Sequence, residues 1–284
     1  MIVPFNSWAC PLDKLPMKRV GQSLICPQNH TFDFARAGYV HLLPTQFKKS
    51  RLPGDNKQMV NARRLFLNSG SYTPIRNAII HIVQTYMTHQ AMNPYFTFVD
   101  AACGEGYYTV GLADQLSIYL DKNISILGFD ISREAILAAT KRSKKQDWAV
   151  ATNNRIPVRD ISVDGLLSLF GFPVWSEFRR ILKPNGFLVI ADTGRQHLIE
   201  MRQQIYEHVF LKNNCLLNLP DGFISVDEIP VSYMLRDMSS QSMEALLKMT
   251  PHYYRMPAEK YESFIKNPPR NVTVDILLRI LKRI

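Results

Sequence analysis

Two acids and two glycines stand where a ligand of nucleotide type would need them. The run Val99-Asp100-Ala101-Ala102-Cys103-Gly104-Glu105-Gly106-Tyr107-Tyr108-Thr109 is followed, 24 residues after Gly106, by the acid of Gly128-Phe129-Asp130. The mostly apolar residues Tyr95 to Val99 predict a strand that ends in the first acid. A Gly-x-Gly turn and a helix from about Tyr107 come next, and a second strand, Ile124 to Gly128, ends in the second acid. On an open α/β sheet, glycines in such a turn let the backbone approach the ligand. An acid at the tip of the next strand accepts from ribose hydroxyls. The pattern Asp-x-x-x-Gly-x-Gly is shorter than Gly-x-Gly-x-x-Gly and suits a ligand without a pyrophosphate. The other reading is a βαβ turn that binds nothing.

A second constellation lies near the N-terminus. Cys10-Pro11-Leu12-Asp13 and Cys26-Pro27-Gln28-Asn29-His30 flank a short predicted strand, Ser23-Leu24-Ile25. Two ligand knuckles around a hairpin have the look of a zinc ribbon. Ordinary buried thiols are the alternative for Cys10 and Cys26. A third feature is charge. Residues 36 to 64 carry Arg36, Lys48, Lys49, Arg51, Lys57, Arg63 and Arg64 against a single acid, Asp55. Tyr39 and Phe47 are interleaved, which suits contact with nucleic acid, although a stretch this basic is often only solvated.

The whole chain supports that direction. At 284 residues and 46% hydrophobic content it can bury a substantial core. Its net charge is +10, which a polyanionic partner would exploit and a small-molecule enzyme does not need. No apolar run reaches the ~18 residues of a membrane span. The first residues lack the basic flank and apolar core of a signal peptide. Four unevenly spread cysteines make no disulfide framework. These features together predict a cytoplasmic protein.

The elements that must hold these residues follow from periodicity and caps. Helices are expected at Lys57–Asn68, Ile75–Thr88, from about Tyr107, Arg133–Ser143 with Ser132 as its cap, Ser176–Leu182, His197–Leu211 and Ser240–Met249. Further strands are expected at Trp148–Ala151, Asp164–Phe170, Phe187–Ala191 after a Lys183–Gly186 turn, Phe223–Val226, Pro230–Leu235 and Val272–Leu281. Strands alternating with helices predict a parallel, doubly wound α/β sheet. The expected division is a zinc-ribbon-like module over 1–36, a basic linker and helix over 37–73, and a catalytic-type domain over 74–284.

The Gly-x-Gly unit resembles the first motif of the class I S-adenosylmethionine (SAM) methyltransferases, with Asp130 as their ribose-binding acid. The whole chain resembles the 23S ribosomal RNA (guanine-N1-)-methyltransferases. The likeness runs through Cys26-Pro27-Gln28-Asn29-His30, Gly38-Tyr39-Val40, Pro53-Gly54-Asp55, Ala62-Arg63-Arg64, Cys103 to Thr109, Arg195-x-His197-Leu198 and Met249-Thr250-Pro251. It implies a Rossmann-like SAM domain with a zinc ribbon, and methyl transfer to N1 of a guanine in a 23S rRNA hairpin. It implies zinc on Cys10, Cys26 and His30, with Asp13 where the family has a second cysteine. Tyr72, the Gly104-Glu105 turn and His197 would line the cofactor pocket, with Asp100 orienting the loop and the SAM amino group. Asn153 stands where related enzymes approach the adenine. Lys48, Lys49, Arg51, Arg63 and Arg64 would grip RNA, and family members can form homodimers. The segment Phe170-Gly171-Phe172-Pro173 departs from the family pattern. Stacking of a base there and core packing are both open. No general base is singled out. The rival functions are a small-molecule SAM methyltransferase and a non-catalytic SAM- and RNA-binding protein.

Overall fold

The computed structural model describes residues 1–48, 50, 53–89, 94–119, 122–209 and 219–284. In chain order, the N-terminal part holds β1 (Ile2–Val3), β2 (Lys18–Val20), β3 (Ser23–Ile25), β4 (Thr31–Asp33) and β5 (Tyr39–His41). Then come α1 (Lys57–Asn68), α2 (Thr73–His89), β6 (Tyr95–Ala101), α3 (Tyr107–Tyr119), β7 (Asn123–Asp130), α4 (Arg133–Arg142), β8 (Asp147–Val150) and β9 (Val163–Leu169). The rest comprises α5 (Trp175–Ile181), β10 (Leu182–Thr193), α6 (Ile199–Ile205), β11 (Phe223–Leu235), α7 (Ser240–Lys248), α8 (Pro251–Arg255), α9 (Ala258–Lys266) and β12 (Val272–Arg283).

The main sheet runs β11-β12-β10-β9-β6-β7-β8-β5, with β1 beside the start of β7. The strands from β10 to β5 are parallel. Fully buried runs such as Val163 to Leu169 fit a sheet covered on both faces. The expectation of a parallel sheet fails at one end. β12 lies antiparallel between β10 and β11, because the chain returns through α7, α8 and α9 and inserts its last strand between them. From β6 the chain steps outward through β7 and β8, then crosses back to place β9 on the other side of β6. That reversal opens a crevice at the carboxyl ends of the strands, the place where open α/β sheets bind ligands.

Local signals account for the elements. Asn56 Oδ1 accepts the Met59 N–H at 3.0 Å and starts α1 at the expected residue. Ser132 Oγ does the same for α4, accepting from Ala135 N at 3.1 Å. Other expectations are corrected. The Lys183–Gly186 turn lies inside β10 as a break in register between Leu182 and Phe187. The strand expected in two pieces after Phe223 is continuous, with a bulge between Ser225 and Asp227. The helix expected from His197 starts at Ile199, because Leu198 takes a left-handed conformation at φ +55. It also ends early, at Ile205, because Tyr206 turns to an extended conformation, and the expected last residue, Leu211, lies outside the described residues. β5, inside the expected basic linker, joins the main sheet beside β8, while β2-β3-β4 form a separate small antiparallel sheet. Among the described residues no helix is long and apolar enough to cross a membrane.

Candidate functional site

The Gly-x-Gly turn leaves β6 at Ala102, which adopts φ +63, and Cys103 N–H then donates to Phe129 O at 3.0 Å. The turn is thereby tied to the tip of β7. Gly106 has φ +81, and a Cβ there would fall 2.7 Å from the Trp148 ring. Only glycine fits both the conformation and the packed indole. Asp130 lies at the end of β7. Its Oδ2 accepts from Gly104 N at 3.0 Å and its Oδ1 from Ser132 N at 2.8 Å. Each oxygen keeps acceptor capacity for a ligand hydroxyl. Burial pushes the Asp130 carboxyl up, against the pull of these two N–H groups. Asp100 is buried and accepts from Thr109 Oγ1 at 2.5 Å, and burial pushes its carboxyl up to about 7. Asp100 thus braces the strand against the first turn of α3.

The neighbouring strand tips complete the crevice. Ala151 N–H donates to Asp130 O at 3.0 Å, which brings the loop after β8 alongside the acid. In that loop Asn153 donates from Nδ2 to Phe172 O at 3.0 Å, while its Oδ1 is buried without a hydrogen-bond partner among the described residues. Tyr108 Oη, in the first turn of α3, is likewise buried and unpartnered among them. Orphaned polar atoms beside the turn fit a polar ligand that reaches into the sheet edge. On the β10 side stand Tyr72 and His197, with ring centroids 6.5 Å apart. His197 Nδ1 accepts the Asp275 N–H at 3.3 Å, which leaves its proton on Nε2 as a donor. Burial, then the charges of His252 and Arg202, lower its pKa to about 4, so the ring is neutral near pH 7.

Two expected contacts take a different form. The Glu105 side chain is buried and pairs with Arg142, whose Nη2 lies 2.5 Å and Nε 2.8 Å from Oε2. Its Oε2 is committed to the protein, while its Oε1 is buried without a hydrogen-bond partner among the described residues. Arg63, expected at an RNA surface, bonds Asp55 and reaches Met249 O at 3.3 Å. Its Nη1 would sit 3.7 Å from a Cβ at Gly104, so it roofs the turn. Its partner segment is clamped there too. Ser132 Oγ donates to Asp55 O at 2.6 Å, and Gly54, at φ +80, has Ile131 and Ser132 within 2.9 Å of where a Cβ would lie. Sequence reasoning missed Asp55 and Tyr108 as site residues. The only signals were a lone acid in a basic stretch and a tyrosine directly after the turn.

The four N-terminal candidates come together. Cys10 Sγ and Cys26 Sγ lie 3.5 and 3.4 Å from His30 Nδ1. Asp13 Oδ2 lies 3.0 Å from His30 Nδ1 and 3.3 Å from Cys26 Sγ. One donor atom from each residue falls within 4.8 Å of the others. A tetrahedral ion with bonds of about 2.0–2.3 Å sets its ligand atoms about 3.3–3.8 Å apart. The donor set therefore fits Zn²⁺ in spacing and chemistry. Although burial opposes it, the Leu15 N–H and hydrogen bonds from Cys26, Cys10 and His30 hold the Asp13 carboxyl down at about 2, in its anionic form.

Of the other expected RNA contacts, Lys49 and Arg51 lie outside the described residues. Lys48 follows a short 3-10 turn, Thr45–Phe47, whose Phe47 ring carries the Arg155 guanidinium at 5.0 Å. Arg64 is half-buried on α1, and its charge acts on Glu105.

Comparison with known proteins gives two family matches. Residues 8–51 match a zinc-ribbon family model described as RlmA, N-terminal, and residues 99–190 match a methyltransferase-domain model. YxjB of Bacillus subtilis (strain 168), whose name assigns it to the 23S rRNA (guanine-N(1)-)-methyltransferases, is 30% identical over 282 residues, 96% of each chain. The 23S rRNA (guanine(748)-N(1))-methyltransferase of Streptomyces fradiae is 31% identical over 193 residues, 68% of this chain and 65% of that one.

Proposed function

The chain belongs to the 23S rRNA (guanine-N1-)-methyltransferase family, and from that membership and the site geometry we propose that it methylates N1 of a guanine in a 23S rRNA hairpin. The observation that carries the donor side is the convergence on one sheet edge of the Gly104–Gly106 turn, the Asp130 carboxylate and the orphaned Asn153 Oδ1. SAM supplies an activated methyl group. Asp130 accepts from its ribose hydroxyls, and Asn153 Oδ1 accepts from the adenine amino group. The backbone of the turn lies along the methionine part, with Tyr72 and the Nε2 proton of His197 at its far side.

Catalysis in this reading is alignment. Bound SAM would supply the methyl group to guanine N1, and the N1 proton would leave to solvent. Residues 1–36 and the basic segment 37–73 grip the hairpin backbone, and 74–284 present the donor. Zn²⁺ on Cys10, Asp13, Cys26 and His30 cross-links the ribbon that carries this grip. A cytoplasmic location follows from the substrate, and a homodimer would double the basic surface.

Primer extension on 23S rRNA, with and without the protein, tests the reading, because an N1 methyl blocks Watson–Crick pairing. A protein-dependent stop at one guanine is expected. SAM binding without any such stop would instead make the chain a non-catalytic binder.

A further inference from the structure

The segment after β9 is built unlike a packing loop. Phe170 has φ +57, a left-handed conformation that an aromatic residue keeps only when its surroundings impose it. Its N–H donates to Ala191 O at 3.0 Å, and its ring stands 6.2 Å from that of Tyr108. Gly171 lies against the cofactor turn, since a Cβ on it would be 3.5 Å from Ala102 Cβ. The Phe172 carbonyl is then held by Asn153 Nδ2 at 3.0 Å. The backbone is thus pinned from three neighbouring strand tips. Yet the Phe172 side chain is 91% exposed, more than any other large hydrophobic residue described. Core packing is excluded for this ring. A rigid backbone that presents a bare aromatic face beside the donor site is a platform without its occupant.

We propose that Phe172 is the stacking platform for the target guanine, which is turned out of its hairpin onto the ring so that N1 faces the methyl donor. The proposal deepens the RNA reading above and rests on it. A base inside a paired stem cannot reach the crevice, and enzymes that modify bases take them out of the stack. Aromatic rings hold such bases by their π faces. Asn153 links the two substrates in this arrangement. One end of its amide faces the donor's adenine and the other sets the height of the platform. Phe172 acts on position rather than on the reacting atoms, so its removal falls on RNA kinetics and leaves the donor site intact.

The test compares Phe172→Ala, Phe172→Leu and Phe172→Trp with the wild type, using methyl transfer to a 23S rRNA hairpin at saturating SAM. SAM affinity is measured by calorimetry and thermal stability by circular dichroism. One base–aromatic stack is worth about 1–3 kcal/mol, so F172A and F172L are expected to lower kcat/KM for RNA by about 5- to 140-fold. F172W restores it, and SAM affinity and Tm stay at wild-type values in all three. Wild-type rates in F172A and F172L would overturn the proposal, as would a loss that F172W shares in full. If the wild-type protein methylates no 23S hairpin, the RNA reading itself falls and takes the platform with it. An active wild type with an indifferent F172A removes the platform alone.

Discussion

Asp130 illustrates how one side chain serves two partners. Its oxygens brace the turn through the Gly104 and Ser132 N–H groups while their remaining lone pairs face the crevice. Asp130→Asn removes the charge but keeps most of the shape. A charge-assisted hydrogen bond is worth about 1.5–3 kcal/mol, so calorimetry should show SAM binding weakened by about 10- to 140-fold. The histidines give a second prediction at this scale. His197 and His252 are both held near pKa 4, in each case first by burial and then by neighbouring positive groups. In the unfolded chain they take up protons near the ordinary value of about 6.5. The folded state therefore binds fewer protons between those values, and the stability they confer above pH ~6.5 is lost as pH falls toward 4. Thermal melts should show that decline, and the H197N/H252N double variant should show a shallower one.

At the scale of elements, α1, α3 and α4 are locked around a buried ion pair. Arg142, on α4, holds Glu105 in the turn before α3 and also donates to Asn68 Oδ1, at the end of α1, at 2.9 Å. Its guanidinium also lies over the Tyr107 ring, 5.6 Å from the centroid. Arg142→Ala leaves Glu105 buried without its hydrogen-bonded counter-charge, which costs about 3–5 kcal/mol. Urea denaturation should register that loss, and adding Glu105→Gln should recover much of it, because the stranded group is then neutral. The ribbon offers a different element-scale test. Purified protein should carry about one zinc per chain by elemental analysis, since the four donors converge as a structural site does. Asp13→Cys should slow zinc release to a chelator, because sulfur is the preferred structural ligand. Equal release rates from the two proteins would argue that Asp13 is not a ligand.

The whole molecule couples a basic N-terminal half to the proposed donor site at the sheet edge. The coupling is visible in the 53–56 segment, which continues from the basic stretch and clamps over Asp130 through Ser132. RNA affinity should depend steeply on salt, because binding to phosphates releases counterions. Neutralising Lys48, Lys49 and Arg51 should flatten the log–log salt slope by about 0.7–0.9 for each phosphate that is no longer neutralised. SAM affinity should hold, since the proposed pocket lies at the tips of β6, β7 and β8. Filter binding across a salt series, alongside calorimetry, checks both halves of this expectation.

What the sequence by itself determined is what depends on neighbours along the chain. The strand–turn–helix unit around Gly104 and Gly106, the caps at Asn56 and Ser132 and the limits of α1 are set by periodicity and local hydrogen bonding. The metal candidates were also legible, because ligand knuckles are short. Tertiary structure decided how distant segments use the same residue types. Arg63 reads as one more cation in a basic run, and only the folded chain puts Asp55 and Met249 O against it. Glu105 reads as a turn residue facing a ligand, and only α4 supplies the arginine that draws it inward. Phe172 reads equally as core or platform, and its exposure follows from where Ala102, Ala191 and Asn153 pin the loop. The antiparallel edge of the sheet escaped for the same reason. An apolar run predicts that a strand forms, but its direction is settled by which partner the returning chain meets.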